Sequence, residues 1–408
     1  MIAPPNPATS DLSAPGMPAM MALPANGGPS LGTDASSSRK FYTLTASLRE
    51  VYDDNVNTTN VNPQSSWETI LSPSILVDFP TADGDFSARY TFNATYYSNY
   101  GNNGGSSGGN SSIQLTHELV AQYMHSFSNR FNLSLAEQFR YYVEPSLFES
   151  TGTVYNNGAY VANTLNGTFG AQWTPLFGTT TTYANTIVRY DESAVADSQN
   201  DIENTGSETL SFAILPKISV VLGGIVDDLS YDDTSRGYTN YTGFAGVQWQ
   251  PLPSLSVSAQ GGLSYTEIDQ GQPLISPYAA LSINWMLGAR SALSFSYSHD
   301  VVPTDEFDAS GQIADRFTSN FRYDITTNLS AHLQGILTSS NVSQSFISSG
   351  SGISAYNEID YAVDTGLTYH YNSYLNLDSG LIFSGVSSQL DYRDYTRDQV
   401  YLGVRGTY

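Results

Sequence analysis

The chain has 408 residues, a formal net charge of −23 and no cysteine, and charged residues make up only 13% of it. The lack of cysteine excludes disulfides and thiolate metal sites. The acidic balance excludes nucleic acid as a partner, because the sequence has no basic stripe to replace the counterions on phosphate. A membrane-spanning helix is also excluded, because no run of about eighteen apolar residues is present.

Residues 1–40 differ in composition from the rest and are rich in Pro, Ala, Gly and Ser, with an apolar cluster only at Met17, Met20 and Met21. Such a segment cannot bury enough apolar surface to become ordered. We interpret it as a disordered periplasmic leader, with a segment that folds back to plug the pore as the alternative. Because Met1 is followed by neither a basic nor an apolar region, we expect that an export signal preceded it and was removed or misassigned.

From Phe41 to the end, strand-like segments are separated by connections that are alternately short and long. The short ones lie near residues 80–85, 126–130, 174–179, 216–217, 251–254, 287–291, 324–327 and 370–373, and the long ones include 53–66, 101–112, 144–157, 191–204, 301–311 and 338–356. Bacterial outer-membrane barrels have short periplasmic turns, long external loops and an even number of strands. The pattern therefore predicts an all-β protein over residues 41–408, a closed antiparallel up-and-down transmembrane barrel of about 18 strands.

The predicted strands have one apolar face and one polar face. In the third strand, Phe86, Tyr90 and Phe92 alternate with Ser87 and Arg89. The apolar face is expected to point to lipid, since a lumen framed by about 18 strands is too wide for side chains to fill and holds water. The last strand ends at the final residue, and we expect it to pair with the first strand and close the barrel.

Two observations bear on the outer face. Trp173, Trp249 and Trp285 each end a strand that descends to a short turn, which is typical of a periplasmic aromatic girdle, and Trp67 is expected near the other rim. Glu137, in contrast, is in phase with apolar residues, which directs a carboxylate to lipid. A bulge or a contact with another subunit would resolve this conflict.

The stretch from 41 to 100 contains residues 52–56, Tyr-Asp-Asp-Asn-Val, then residues 71–75, Leu-Ser-Pro-Ser-Ile, and then an aromatic strand with Arg89 and Tyr90. It resembles the start of the putative beta-barrel porin 2 family, whose first hairpin carries a similar signature. The resemblance implies an outer-membrane barrel. It also implies a link to exopolysaccharide export, because some relatives accompany such systems.

The sequence has no Gly-x-Ser-x-Gly elbow, no His-Glu-x-x-His motif and no phosphate loop. The five histidines are scattered, and His332 is expected to line the pore beside Gln334 rather than to bind a ligand. We therefore predict no catalytic, cofactor-binding or metal-binding residues, no cofactor and no enzymatic activity.

Charged side chains are expected on one wall of the lumen, and the strands between residues 160 and 298 are expected to form a nearly neutral opposite wall. The predicted charged wall consists of Arg49, Glu68, Asp78, Arg89, Glu118, Arg140, Arg322, Asp364, Asp378 and Arg405. One interpretation is a selectivity element that favours polar solutes. The other is that neighbours such as Arg89 and Glu118 pair and only stiffen the wall.

Most of the acidic residues are expected in the external loops, among them Asp53, Asp227, Asp305 and Glu306. An exposed rim of this kind repels anions and attracts cations over about 8 to 10 Å. Alternatively, these residues provide solubility and bridge to anionic lipid through divalent ions.

These observations predict a channel in the bacterial outer membrane for passive diffusion of small hydrophilic solutes. The alternatives are an outer-membrane conduit of an exopolysaccharide export system and a structural or surface-recognition barrel whose lumen is occluded by loops. The expected partners are outer-membrane lipid, small polar solutes or saccharides, and the barrel-assembly machinery, which would engage the C-terminal strand. The sequence leaves open whether the protein forms a homo-oligomer.

Overall fold

The computed structural model describes residues 41–99, 112–143, 158–232, 236–269, 271–347 and 353–408. The predicted leader, residues 1–40, and nearly all of the predicted loops 101–112 and 144–157 lie outside the described residues. The strands are β1 (Tyr42–Asp53), β2 (Ser66–Pro80), β3 (Gly84–Tyr97), β4 (Ile113–Ser128), β5 (Phe131–Tyr142), β6 (Tyr160–Thr174), β7 (Phe177–Tyr190), β8 (Asp201–Leu215), β9 (Ile218–Tyr231), β10 (Gly237–Leu252), β11 (Leu255–Ile268), β12 (Leu274–Met286), β13 (Ser291–Val302), β14 (Gln312–Asp324), β15 (Leu329–Val342), β16 (Tyr356–His370), β17 (Leu375–Ser388) and β18 (Tyr395–Thr407), and helix α1 spans Ser193–Gln199.

The strands form one closed sheet of 18 strands in which each strand pairs with its sequence neighbours and β1 pairs with β18. The closing pair is antiparallel, with Thr45 opposite Thr407 and Asp53 opposite Gln399. At its end, the Leu44 amide donates to the Tyr408 carbonyl and the Tyr408 amide donates to the Leu44 carbonyl. Because closure leaves no free sheet edge, the predicted fold class and the predicted closure are both confirmed.

The connections follow the predicted order with three differences. The external connections 232–236 and 269–273 are short, so long and short connections do not alternate strictly. The predicted loop 191–204 contains α1, and β8 begins within it at Asp201; β15 extends to Val342. In the short turn between β12 and β13, Gly288 adopts a φ of 81°, which favours glycine. Among the described residues, no helix has the length and apolarity needed to cross a bilayer.

The outer face carries an exposed layer of large apolar side chains, because period-two alternation directs every second residue outward. Examples spread around the barrel are Leu48, Leu71, Leu119, Leu165, Leu222, Leu263, Phe317, Leu377 and Leu402. Trp173, Trp249 and Trp285 are exposed on this face beside short turns. Their placement fits the girdle that the sequence predicts.

Glu137 lies on the outer face between Leu135 and Phe139. It is opposite Ala121 in β4 and Leu165 in β6, in a regular part of both ladders. The register shift between β4 and β5 lies beside the short turn, at Ser126 and Ser128. A bulge therefore does not re-aim this carboxylate.

Part of the inner face is apolar and buried, within the wall that the sequence predicts to be mostly polar. Ile225, Phe244 and Tyr278 form one buried cluster on the inner side of β9, β10 and β12. A second buried cluster lies at the external end, and it consists of Leu229, Tyr231, Tyr238, Ile268, Val301 and Phe346. Phe346 belongs to the loop after β15, so a loop folds inward to cover the ends of the strands.

Candidate functional site

The strand registers show which residues share the inner face. Along this face lie all ten residues of the predicted charged wall, Arg49, Glu68, Asp78, Arg89, Glu118, Arg140, Arg322, Asp364, Asp378 and Arg405. Their role in selectivity stays a prediction. Their contacts bear on both interpretations of the wall, selectivity and stiffening.

Several of the wall residues form ion pairs with one another. The guanidinium of Arg140 lies 3.5 Å from the carboxylate of Glu118, and that of Arg405 lies 3.4 Å from the carboxylate of Asp378. Arg89 is opposite Val120 and so lies diagonally next to Glu118. This part of the wall is therefore charged but locally balanced, and both interpretations remain compatible with it.

The other wall residues contact partners that the sequence did not suggest. Arg49 stacks over the ring of Tyr401 at 4.5 Å. The Tyr401 hydroxyl donates to Asp364 at 3.2 Å, and His332 lies 3.4 Å from the same carboxylate. Asp78 lies opposite Ser87, near a short turn. Arg322 pairs with Asp324 at 3.2 Å.

Because β1 pairs with β18 to close the barrel, a residue of the first strand forms an ion pair with a residue of the last strand. Arg397 donates to Asp53 at 2.6 Å, and its guanidinium lies 3.8 Å from the carboxylate of Glu68. Gln399 donates to the same oxygen of Asp53 at 2.8 Å. Asp53 is fully buried, so the expectation that it forms part of an exposed acidic rim is wrong.

The opposite wall is not neutral at its external end. Glu203, Asp227 and Asp300 line a cavity of about 20 Å³ together with Thr205 and Asn240, which is room for about one water. Asp227 accepts hydrogen bonds from Thr205 and, on β10, from Tyr238. Sequence reasoning assigned Asp227 to a loop and missed the other two carboxylates.

A loop between β13 and β14, residues 303–311, is held at the external end of the lumen by a buried arginine, and we call it the mouth loop. Arg393, in the loop between β17 and β18, donates to Asp305 of the mouth loop at 2.8 Å. It also donates to both carboxylate oxygens of Glu358, at 2.6 and 3.0 Å. Glu306 lies 3.6 Å away and accepts a hydrogen bond from Tyr392 at 2.8 Å. One guanidinium thus faces three carboxylates.

A second buried arginine holds the mouth loop from the side of β10. Arg236 is 1% exposed and donates to the carbonyl oxygens of Ala309 and Glu306, each at 2.9 Å. It also donates to the carbonyl of Ser198 in α1 and stacks over the Tyr231 ring at 4.0 Å. The mouth loop is therefore bonded both to the side of α1, β9 and β10 and to the side of β16–β18.

The charges around Arg393 perturb one another. Burial raises the pKa of Glu306 above its ordinary value, although the hydrogen bond from Tyr392 and the charge of Arg393 oppose this shift. Burial acts to lower the pKa of Arg393, but Asp305 and Glu358 outweigh it, so the pKa of Arg393 rises. Arg393 therefore stays charged, whereas Glu306 takes up a proton more readily on acidification than an exposed glutamate does.

These contacts correct the predicted acidic rim for Asp305 and Glu306 as well, because both carboxylates are buried against Arg393. The sequence analysis missed Arg236, Arg393 and Arg397. One signal could have identified them: Lys and Arg number only 15 in a chain with 38 acidic residues. An arginine in or next to an external loop of such a chain has many potential carboxylate partners.

Comparison with known proteins gives a family match over part of the chain. The model of the family described as Putative beta-barrel porin 2 matches residues 272–408. The predicted family is confirmed over these residues, whereas the signature at residues 52–56 lies outside the match. No curated protein matches the chain significantly in sequence.

Solved structures with a similar course of the chain include the outer membrane protein OpdK, OccAB4 and a BenF-like porin. OpdK of Pseudomonas aeruginosa has 10% identity and a TM-score of 0.47, over 90% of this chain and 98% of that chain. OccAB4 of Acinetobacter baumannii has 10% identity and a TM-score of 0.44, over 91% and 99%. A BenF-like porin of Pseudomonas fluorescens has 10% identity and a TM-score of 0.47, over 90% and 99%.

The fold and the family match define the class of this protein. It is a β-barrel of the bacterial outer membrane, with a closed wall of 18 strands, an exposed apolar outer face of the kind that contacts lipid and residues 272–408 matched to the model of the Putative beta-barrel porin 2 family.

Proposed function

We propose that the protein is a channel for passive diffusion of small hydrophilic solutes. The observation that carries this proposal is the sorting of side chains by the closed sheet, with large apolar residues exposed outside and hydroxyl, amide and charged residues along most of the inner face. A barrel of 18 strands is in the size range in which natural porins have an aqueous channel.

We propose further that the channel prefers neutral and cationic solutes to anions. At the external end, the Arg393 guanidinium faces three carboxylates, and on the opposite side Glu203, Asp227 and Asp300 surround a small cavity next to the lumen. Carboxylates therefore outnumber guanidinium groups along this part of the path. A surplus of one sign of charge in a confined lumen raises the local concentration of the opposite ion.

Swelling of proteoliposomes tests the proposal. Liposomes containing the purified protein are expected to swell in isotonic solutions of small sugars, at rates that fall as the sugar becomes larger. A swelling rate equal to that of protein-free liposomes for every sugar would contradict passive diffusion through the barrel.

The mouth loop favours a second candidate, a structural or surface-recognition barrel with an occluded lumen. Its support is the bonding of the loop to both sides of the mouth by Arg236 and Arg393. The two functions differ in what happens when the loop is released, because a gated channel then conducts and a filled barrel does not. Neither the described residues nor the comparisons favour the exopolysaccharide conduit.

The last strand is also proposed as the segment that the barrel-assembly machinery engages. β18 has the exposed apolar residues Val400 and Leu402 on its outer face, and the exposed aromatic Tyr408 follows it directly. Removal of Tyr408 is expected to reduce the amount of folded protein in the outer membrane of growing cells without preventing refolding of the purified protein in detergent.

A further inference from the structure

The outer face of β7 and β8 carries hydrogen-bonding side chains where the face is expected to contact lipid. Thr181 of β7 donates to Glu208 of β8 at 2.5 Å. Asn185 and Tyr183 of β7 both donate to the side-chain oxygen of Asn204 in β8, at 2.9 and 2.8 Å. Glu208 and Tyr183 are exposed, so these groups lie at the surface of the barrel.

The outward polar side chains of β7 and β8 lie in one row with a polar residue of β5, across β6. Glu137 is opposite Leu165, Leu165 is opposite Asn185, and Asn185 is opposite Asn204, so Glu137 is in one row with the polar residues of β7 and β8. Glu137 has no hydrogen-bond partner among the described residues. Asn163 of β6 is opposite Phe139 in β5 and Ile187 in β7 and so lies on the same outer face. We define the polar outer patch as Glu137, Asn163, Thr181, Tyr183, Asn185, Asn204 and Glu208.

The patch lies within the height of the membrane-spanning wall. Glu137 has Leu135 and Phe139 on either side along its face, and Glu208 lies at the middle of β8, with Leu210 and Phe212 following it on the same face. Lipid tails offer no partner for a carboxylate or an amide. Lipid is therefore a poor cover for this part of the barrel.

Elsewhere on the outer face, polar side chains occur as pairs that bond within the chain, such as Thr69 with Glu50 and Thr239 with Asp228. On β1 to β4, the corresponding surface is formed by residues such as Leu48, Leu71, Ile75 and Leu119. A second polar group, on β13 and β14, bonds within the chain: Tyr297 donates to Asp315 at 2.7 Å, and His299 Nδ1 lies 2.9 Å from the same carboxylate oxygen.

We propose that the polar outer patch is an interface with a second copy of this chain, in which the same patch of each copy faces the other across a two-fold axis along the membrane normal. The patch contains carboxylate acceptors, Glu137 and Glu208, and amide donors, Asn163 and Asn185, so two copies can satisfy each other. A two-fold axis along the membrane normal relates residues that lie at the same depth in the membrane. Polar groups near the middle of the membrane in one copy therefore meet the same polar groups of the other copy.

Two features favour a second copy over another occupant. Anionic lipid is repelled by the carboxylates of Glu137 and Glu208, which have no Lys or Arg within the patch. A partner of different sequence would need its own exposed mid-membrane polar surface, whereas a second copy of this chain presents one. The proposal does not depend on conduction through the lumen, because the patch lies outside the barrel.

Cross-linking tests the geometry directly. Because the chain has no cysteine, an Asn185→Cys variant carries one thiol, and a cross-link between two such chains shows that β7 of one copy faces β7 of another. Oxidation or a short bis-maleimide is expected to give a band of twice the mass in native membranes. The control, Leu71→Cys on the outer face of β2, is expected to stay single. Tyr183→Cys provides a second position on β7. A cross-link at Leu71→Cys but at neither β7 position would overturn the proposal. The absence of a cross-link in all three variants would also overturn it.

Native mass spectrometry of protein extracted with its lipids tests the stoichiometry. Two copies are expected for the wild type and one for the double variant Asn185→Leu with Glu208→Leu, which suits a lipid-facing surface and whose folding is checked by heat-dependent migration on gels. Glu50→Leu is the control, because it removes an outward carboxylate outside the patch that accepts a hydrogen bond from Thr69 at 2.8 Å. This variant is expected to remain a complex of two copies. A single copy of the wild type, a ring of three, or a stoichiometric complex with a different protein would each overturn the proposal.

Discussion

Arg393 donates a 2.8 Å hydrogen bond to Asp305, although the two residues lie in different loops and are separated by 88 positions in the chain. Both side chains are nearly fully buried. The contact joins the mouth loop to the loop between β17 and β18 at the external end of the lumen. We therefore expect this pair, together with Glu358, to control how far the mouth opens.

Replacing Arg393 with Met is expected to release the mouth loop. The substitution leaves Asp305, Glu306 and Glu358 buried without their shared cation, and breaking a buried ion pair from one side costs about 3–5 kcal/mol. The carboxylates regain water if the loop moves away, so the average ionic current in planar bilayers should rise relative to the wild type.

An Arg189→Met variant is the matched control, since it removes a half-exposed guanidinium on the outer face that lies 3.7 Å from the carboxylate of Asp232. Its current should equal that of the wild type. An unchanged or lower current in Arg393→Met, with the barrel folded, would show that the pair does not restrict the mouth.

Acidification is expected to favour the closed mouth through Glu306. Its pKa is raised in the closed arrangement, mainly by burial. Protonation of Glu306 therefore stabilises the closed mouth relative to the open one. This stabilisation is fully present below the ordinary glutamate pKa of about 4.3 and is lost as the pH rises through the higher pKa that Glu306 has in the closed arrangement. Currents recorded over this range should decrease as the pH falls, and Glu306→Gln should show a smaller dependence; equal pH profiles for the two proteins would refute the role of Glu306.

Removing Arg89 and Arg140 together distinguishes a selective wall from a stiffened one. Both guanidinium groups lie on the inner face beside Glu118, so their replacement by Ala leaves that carboxylate without its balancing charge. Reversal potentials in a salt gradient should shift toward the value for a cation-selective pore. Arg189→Ala, which removes a charge on the outer face near the rim, should cause no shift. A lower unfolding temperature of the double variant with unchanged selectivity would favour stiffening alone.

The apolar cluster on the inner face predicts an asymmetric effect of two neighbouring glycines. A Cβ at Gly262 would collide with the backbone of Gly243, whereas a Cβ at Gly261 comes no closer than 3.8 Å to Tyr278. Gly262→Ala should lower the free energy of unfolding by about 1–3 kcal/mol, the usual cost of overpacking. Gly261→Ala should be nearly neutral. Chemical denaturation of the two variants in detergent compares them, and equal midpoints would contradict the packing described here.

The wall of the barrel could be predicted from the sequence because its signals are local. Phe86 and Tyr90 alternate with Ser87 and Arg89 independently of the rest of the chain. A shift of the strand-pairing register by two residues keeps each side chain on the same face of the sheet. The short turns contain residues such as Gly288 that mark them individually. The strand count and closure then followed from the number of such segments.

The mouth could not be predicted because its contacts are not local. Nothing in the sequence around Arg393 indicates that Asp305 and Glu358 surround it, and the pairing of Asp53 with Arg397 exists only because β1 meets β18. Asp53 and Asp305 were therefore assigned to an exposed rim. Glu137 was the exception, since one carboxylate among apolar neighbours was visible in the sequence and is part of the patch from which we infer a second copy.

The most direct test of the account is single-channel recording from the purified protein in a planar bilayer, for the wild type and for Arg393→Met. The account predicts steady, cation-preferring current steps that shrink when a small oligosaccharide is added, with larger or more frequent openings in the variant. Folded wild-type and Arg393→Met barrels that both insert and carry no current would contradict a water-filled path through the barrel.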